Sequence, residues 1–329
     1  MKLWWQGKKL WRISLSCFEI LNPGFLTTFQ DLGRPAMLKF ALPPSGAMDE
    51  TSLRLANLLL NNSEGAAALE TAVMGLALQT LDPALITVTG ADLGLVVNEE
   101  PAPMWTVLQL EAGDVVRFTN KRKGLRAYLA VAGGFDAPII LGSRSVYLRG
   151  GIGRALKKGD LIRSFPLEGA APRAGRSLMD KFQPTLDLTE PIRVLPGPQL
   201  DYFTQEGQDT FTRSVYRISS ISDRQGCRTE GPSVEKNRGP DIITDPIPMG
   251  GIQVPGNGLP IILLKDAQVT GGYAKIGLVA RVDLDRVGQL SPRDKVRFKF
   301  IRREEALELL KNQVQLLNEA QEALTGSEL

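Results

Sequence analysis

The stretch ALITVTGADLGLVVNEEPAPMWTVLQLEAGDVVRFTNKRKGLRAYLAVAGG, residues 84–134, decides the fold class. It breaks into ALITVTG (84–90), LGLVVN (93–98), WTVLQL (105–110), DVVRFT (114–119) and RAYLAVAGG (126–134). Each piece is short, rich in β-branched residues and bounded by Gly, Asn or Asp, which is the pattern of strands. A spacing of roughly ten residues is the rhythm of antiparallel sheets and barrels. The reading is therefore a mainly β protein with a few helices.

Working outward, one helix is predicted over MDETSLRLANLLLNN (48–62), with Leu53, Ala56, Leu59 and Leu60 on one face and Asp49 as N-cap. Downstream of GDLIRSF (159–165), the segment 166–191 is rich in Pro, Gly and Ala without period and reads as a linker. Strand patterns resume near YRISSIS (216–222), GIQVPGNGLPIILL (251–264) and DKVRFKFI (294–301). The expected organisation is a leader (1–17), a β-rich lobe (18–165), the linker, a second β-rich lobe (192–301) and a C-terminal helix (302–329). On that helix Leu307, Leu310, Val314, Leu317 and Ala320 form one stripe, suited to covering a barrel or pairing with a partner chain.

Composition narrows the function. The 329 residues carry 39 basic and 36 acidic side chains, too even a balance to argue for nucleic acid. No run of eighteen apolar residues predicts a membrane span. The basic, aromatic N-terminus MKLWWQGKKLWRISLSC lacks the unbroken apolar run of a secretion signal, so a cytoplasmic location is expected. There is no histidine, which removes the usual general base near neutral pH and the imidazole metal ligands. Cys17 and Cys227 cannot build a metal site alone, so none is expected in this chain. No GxxxxGK[ST] phosphate loop occurs, and the glycines of GGIGRALKKGD (150–160) read as turn residues.

Polar residues gather around glycines in several places. KDAQVTGGYAKIG (265–277) follows the strand GLPIILL and sets Asp266, Gln268, Tyr273 and Lys275 around Gly271 and Gly272. GFLTTFQDLGR (24–34) carries Gln30, Asp31 and Arg34; PPSGAMDE (43–50) carries Ser45 and Asp49; LGSRSVYLRGGIG (141–153) carries Arg144; SDRQGCRTEG (222–231) carries Arg224 and Arg228. Singly, each has a plain reading as a turn, a helix cap or a surface ion pair. Together they are a set of loops from both lobes that would converge on one cleft, where ligands usually bind. Arginine forks hold anions, a desolvated lysine exchanges protons, and Tyr and Gln donate to a developing oxyanion. Such a set suits acyl, carboxyl or amide-activating transfer.

The motifs TTFQDLGR, PPSGAMD, ALETAVMG, TGAD, GLRAYLAVAGGF, LGSRSV, VLPGPQLDYF, SDRQGCRTEG, GGIQVPGNGLPIILLKDAQVTGGYAKI and VDLDRVGQLSPRDKVRF resemble, in this order, the biotin-dependent carboxyltransferase family, which includes allophanate hydrolase subunit 2, KipA-type proteins and the C subunits of bacterial 5-oxoprolinases. The resemblance runs from about Phe18 to Phe300. It implies two lobes with cyclophilin-like β-barrels, a smaller KipI-type protein as partner, and a third subunit with which 5-oxoproline is opened to glutamate at the expense of ATP. It also implies two alternatives: a subunit that moves a carboxyl group from carboxybiotin to urea, and a regulator that binds a KipI-type inhibitor. By the same similarity Asp266, Lys275, Tyr273 and Gln268 are the catalytic candidates. Gln30, Asp31, Arg34, Ser45, Asp49, Arg144, Gln253, Gly271 and Gly272 are the substrate-binding ones. ATP would be bound by the complex. Biotin would arrive only on a partner, because the Ala-Met-Lys-Met acceptor segment is absent. Ala274 stands where the family usually has Pro, and Gln225 where Met is common.

Overall fold

The computed structural model describes residues 15–326 apart from Glu168, Leu188 and Pro240. Most of the expected leader, residues 1–14, lies outside the described residues, and Cys17 already belongs to the first strand, Cys17–Pro23.

The first lobe is two antiparallel sheets laid face to face. One runs in the order Leu161–Arg163, Cys17–Pro23, Leu76–Thr80, Val115–Phe118, Leu95–Val97, Glu100–Pro101. The other runs Leu26–Gln30, Ala68–Ala72, Lys123–Val131, Ala84–Asp92, Leu108–Leu110. Strand side chains alternate between faces, so every second residue reaches the shared core. Phe18, Ile20, Leu78, Val116 and Phe118 enter it from one sheet, and Leu69, Ile86, Val88, Leu129 and Val131 from the other. The outer face of the second sheet is also covered. Helix α1 (Glu50–Leu59) lays Leu53, Leu55, Ala56 and Leu59 against Tyr128 and Ala130. Burial on both faces is why RAYLAVAGG reads as a nearly unbroken apolar run.

The second lobe is one eight-stranded sheet: Lys295–Val296, Tyr216–Ile218, Gly226–Glu230, Ile261–Leu263, Gly251–Gln253, Lys275–Val279, Ile192–Pro196, Phe298–Phe300. Its two edge strands are consecutive in the chain, with only Arg297 between them. The sheet must therefore curl until its edges meet, which makes a nearly closed barrel. Phe211 of α2 (Gln205–Arg213) plugs one end, stacked 4.5 Å from Phe298. A separate two-stranded ribbon, Asp241–Pro246 with Thr270–Tyr273, carries the Gly-Gly-Tyr segment.

The two lobes are packed together. Met48, just before α1, is buried in the core of the second lobe. The α-carbon of Gly288, at the end of α3 (Leu284–Gly288), lies so close to the Met48 backbone that a side chain there would overlap its carbonyl oxygen. The segment after Phe165 runs back over the first lobe, where Leu178 N donates to Trp105 O at 2.9 Å.

The C-terminal helix α4 (Arg303–Gly326) also returns to the first lobe, and it packs there through the C-terminal part of the expected stripe, Leu317 and Ala320. Leu307 and Val314 are about half exposed, whereas Ala320 and Leu324 are buried against α1. Leucines recur at helical spacing along two adjacent faces of this helix. Leu309, Gln313 and Leu317 line the groove beside α1 and residues 182–186, so the packed face departs from the stripe at Leu307 and Val314 and shares Leu317 and Ala320 with it.

Candidate functional site

The strand Leu26–Gln30 ends at Asp31, whose carboxylate ties its own turn to the loop 143–145. Its Oδ1 accepts from Gly33 N at 2.7 Å, Ser143 Oγ at 2.6 Å and Ser145 Oγ at 2.5 Å, and its Oδ2 accepts from Arg144 N at 2.6 Å. The loop 44–47 is added by Ala47 N, which donates to Asp31 O at 2.9 Å. Gly33 and Gly46 meet back to back at φ +84° and +97°. A Cβ on Gly46 would lie 2.9 Å from Gly33 N, so neither position accepts another residue without moving the backbone. This clasp fixes Arg34 and Ser45 at the junction of the lobes.

From the second lobe, Arg224 reaches into that junction. Its Nη1 lies 2.6 Å from Glu70 Oε1, its Nε 2.9 Å from Asp266 Oδ2, and its Nη2 donates to Gly46 O at 2.7 Å. Arg126 stands behind Glu70 at 3.6 Å. The other Glu70 oxygen accepts from Tyr128 Oη at 2.8 Å and Met48 N at 2.9 Å. All of these side chains are buried. Burial by itself would raise the Glu70 carboxyl, but Arg224 and Arg126 outweigh it and hold it below its ordinary range. Burial likewise opposes the charge on Arg224, and the two carboxylates more than restore it.

Beside this network, among the described residues, several buried polar atoms have no hydrogen-bond partner, including Arg34 Nη1, Ser45 Oγ, Gln30 Oε1 and Arg126 Nε. Arg34 uses Nε on Ile140 O and Nη2 on Ser145 O, and its buried Nη1 is unpaired. Ser45 Oγ, with no exposure, is also unpaired, and Ser45 holds the left-handed φ of +53°. Unmade bonds and backbone strain of this kind concentrate at functional positions. Burial depresses the Arg34 pKa, while Asp31 and Asp266 act against the shift, so Arg34 and Asp266 feel each other's charge. Ser45 N donates to the carbonyl of Lys265, the residue before Asp266. Tyr147 stands near enough to Asp266 that, after burial, this carboxylate is the next cause of its raised pKa. The loop that carries Tyr147 is tied to the second lobe through Arg149 and Gln225.

The candidates divide into groups. Asp31, Arg34, Ser45 and Asp266 meet at the junction. Gln30 supports it from below, with Nε2 bonded to Val146 O at 3.1 Å. Arg144 gives only its backbone, because its guanidinium turns away to Ala137 O and the Phe165 ring, 4.6 Å distant. Asp49 caps α1 through Ser52 N at 2.9 Å and takes Gln289 Nε2 at 2.7 Å, which uses its carboxylate for joining the lobes. A second cluster is built on the ribbon. Lys275 is paired with Asp245, Gln199 bonds Asp245 at 3.2 Å, and Gln253 Nε2 lies 3.5 Å from Tyr273 O. Gly271 and Gly272 belong to this ribbon, and Tyr273 and Gln268 are exposed. Among the described residues the Asp266 carboxylate is bonded to Arg224, and the ribbon cluster is bonded within itself.

Sequence reasoning passed over Glu70, Arg126 and Tyr128, and it placed the Arg224 loop at the cleft while giving Arg224 taken singly the reading of a surface ion. Glu70 had a signal: it is the single acid in the apolar run AAALETAVMG, and a charge inside a buried strand requires a partner. Glu50 is a further buried carboxylate, paired with Lys265 and Arg281. Cys227 is no nucleophile, since burial pushes its thiol up to about 12.

The family model "carboxyltransferase domain, subdomain A and B" matches residues 40–300, which contain Ser45, Glu70, Arg224 and Asp266 of the junction but not Asp31 and Arg34. The chain belongs to this carboxyltransferase domain family. Within it, the chain is 35% identical over 303 residues to the 5-oxoprolinase C subunit of Haemophilus influenzae, covering 91% of this chain and 96% of that one. It is 34% identical to the 5-oxoprolinase C subunit of Escherichia coli, over 90% of this chain and 94% of the relative. The crystal structure of the Kluyveromyces lactis urea amidolyase superposes with a TM-score of 0.86 at 29% identity, over 92% of this chain but only 20% of that much longer one.

Proposed function

We infer that this carboxyltransferase-family chain is the counterpart of the C subunit in a 5-oxoprolinase, which opens 5-oxoproline to glutamate with ATP. The chain would act only when assembled with a KipI-type partner and a third subunit. The observation that carries this reading is reciprocal length: the chain and its 5-oxoprolinase relatives match over nearly all of both, whereas the urea amidolyase is five times longer than the matched part. The junction gives the reading a place. A buried carboxylate, Asp266, is held by Arg224, and its charge is felt by Arg34, whose Nη1 has no hydrogen-bond partner among the described residues. That arrangement suits a small amide or anion taken out of water.

The junction does not fit a nucleotide triphosphate. Its arginines are engaged, Arg224 with Glu70, Asp266 and Gly46, Arg34 with two carbonyls, and Arg126 with Gly288 O and the Glu70 charge, and all three are buried, which leaves little for a polyanion. ATP would accordingly bind elsewhere in the assembly. The alternative, carboxyl transfer to urea, draws on the fold match to urea amidolyase, and biotin would then be presented as a substrate on a partner protein.

Co-expression with the two expected partners and an assay of ATP-dependent glutamate release from 5-oxoproline tests the reading. The purified complex is expected to turn over 5-oxoproline and the chain alone is not. A properly assembled complex that releases no glutamate, yet moves carboxyl groups from a carboxybiotin carrier to urea, would transfer the conclusion to the alternative.

A further inference from the structure

We propose that the outer edge of the strand Leu161–Arg163 is the docking site for an extended segment of a partner protein, which adds a further strand to the first lobe. The segment would turn apolar side chains into the groove beside the edge and set an acid opposite Arg163. This rests on the reading above in one respect, that the chain works in an assembly. The strand is the last of its sheet, and its inner side is taken by Cys17–Pro23. Ile20 N donates to Asp160 O at 2.9 Å and Ser164 N donates to Ser16 O at 2.8 Å. Bonded pairs alternate along an antiparallel ladder, so Phe18 and Ile162 are the bonded pair between these two. Leu161 and Arg163 therefore turn their N–H and C=O outward. Arg163 O accepts from Asp136 N at 2.8 Å. The Leu161 N–H, the Leu161 C=O and the Arg163 N–H have no partner among the described residues. Both residues are exposed, and neither a proline nor a bulge closes the edge. Backbone groups in strand register are met by another strand rather than by a small ligand.

The groove and its charges say what that strand carries. A cavity of about 310 Å³ lies beside Leu161–Arg163 and the loops 136–146 and 152–156, with Phe29, Val146, Ile152 and Leu156 in its lining. Side chains of an added strand alternate, so every second one can enter it. Three arginines line the groove. Arg154 holds Asp160 through two nitrogens, at 2.6 and 2.9 Å, and Arg144 stands 3.8 Å from Asp136. Arg163 is left without an acidic partner among the described residues, and an acid directly across from it completes a cross-strand pair. The far wall of the groove is the back of the Asp31 clasp. Arg144 N and Ser145 Oγ bond to Asp31, Ser145 O accepts from Arg34, and Val146 O accepts from Gln30. A strand seated against this loop holds it on the clasp from behind, which links assembly to the candidate site.

The test compares the full chain alone with the chain co-purified with the two partners of the proposed complex. Amide hydrogen exchange, read by mass spectrometry on peptides spanning residues 159–165, is expected to slow at Leu161 and Arg163 by at least about tenfold on assembly, because both amides gain an acceptor. Leu161→Pro removes an N–H that the chain's own ladder does not use, so the first lobe keeps its fold. It is expected to weaken assembly, measured by titration calorimetry, by about tenfold for the lost bond and the blocked register. Arg163→Glu changes an exposed side chain and is expected to weaken assembly by repulsion, more at low salt than at high. Unslowed exchange at both amides, or both variants assembling as tightly as the parent, would overturn the proposal. So would a homodimer that Leu161→Pro abolishes, since the edge would then belong to a second copy. A complex that opens 5-oxoproline while this edge exchanges freely would remove this inference and leave the assigned reaction standing. An edge protected in a complex without turnover would do the reverse.

Discussion

Arg224 and Glu70 come from different lobes and meet 2.6 Å apart at a point that solvent does not reach. The pair is one link of a chain of charges, Arg126–Glu70–Arg224–Asp266, that crosses the junction. An interior ion pair is not by itself a source of stability, since the cost of desolvating it rivals the attraction. What it supplies here is position. Asp266 has a fixed direction because Arg224 is anchored on a carboxylate of the other lobe.

Arg224→Met is therefore expected to cost about 3–5 kcal/mol, because it strands Glu70 and Asp266 as buried charges. Chemical denaturation measures this. The double variant Arg224→Met/Glu70→Gln is expected to recover part of the loss, since one stranded charge is gone. If the two single effects simply add, the groups are not coupled and the chain of charges is a chance alignment.

The two clusters make separate claims on catalysis, and one pair of variants divides them. Asp266→Asn, in the assembled complex, is expected to lower turnover by at least about a hundredfold while assembly persists. Lys275→Ala tests the ribbon cluster, where the ammonium is already paired with Asp245. A normal rate in Asp266→Asn together with a dead Lys275→Ala would move the reacting centre to the ribbon.

The β lobes were legible because strands have a period of two and turns have their own residues, both local properties. α1 was legible to within two or three residues, with its Asp49 cap, for the same reason. The junction was legible only in part. Asp31, Arg34, Ser45 and Asp266 stand out beside glycines, and the backbone does require those glycines. Which of the polar groups meet is a matter of how two lobes dock, and no window of sequence encodes that. Arg224 looked like a surface ion because its near neighbours Asp223 and Arg228 supply charge, while its true partners are 154 and 42 residues away. The α4 stripe holds at Leu317 and Ala320 and fails at Leu307 and Val314 for a similar reason, because two adjacent faces of that helix are apolar and only the groove selects between them.

α4 gives a simple stability test. Leu324 is buried against the α1 layer near the helix's last turn. Leu324→Ala is expected to cost about 2–4 kcal/mol, the range for opening a cavity in a packed interior. Leu307→Ala, on the exposed face, is expected to change stability by less than about 0.5 kcal/mol. Urea denaturation of both variants checks the rotation of the helix, and equal costs would contradict it.

The pH dependence of stability turns on Asp49 and Asp285, two buried carboxyls near the start of α1. Burial raises both; the next carboxylate to add to the rise is Asp285 for Asp49 and Glu50 for Asp285. Bonds from Gln289, Ser52 and Thr51 act against the rise without cancelling it, and Asp49 is pushed up to about 7. In the unfolded chain an aspartate titrates near about 4. Below that pH both states are protonated, stability does not change with pH, and the group's contribution is fully present. Between about 4 and about 7 the folded state holds the proton more firmly, so the stability it confers is progressively lost as pH rises. Glu70 and Glu50 carry the opposite sign, since both are held below their ordinary range, and what they contribute is lost only as pH falls through that range. Asp285→Asn removes one acid and relieves its partner, while its side-chain oxygen still accepts from Glu50 N. The variant is expected to gain on the parent chain steadily from pH 5 to pH 8, by about 1.4 kcal/mol for each pKa unit relieved. Urea midpoints at four pH values measure the gap. A gap that stays constant across the range would mean that Asp49 is ionised in the folded protein throughout, and that Gln289 and Ser52 outweigh its burial.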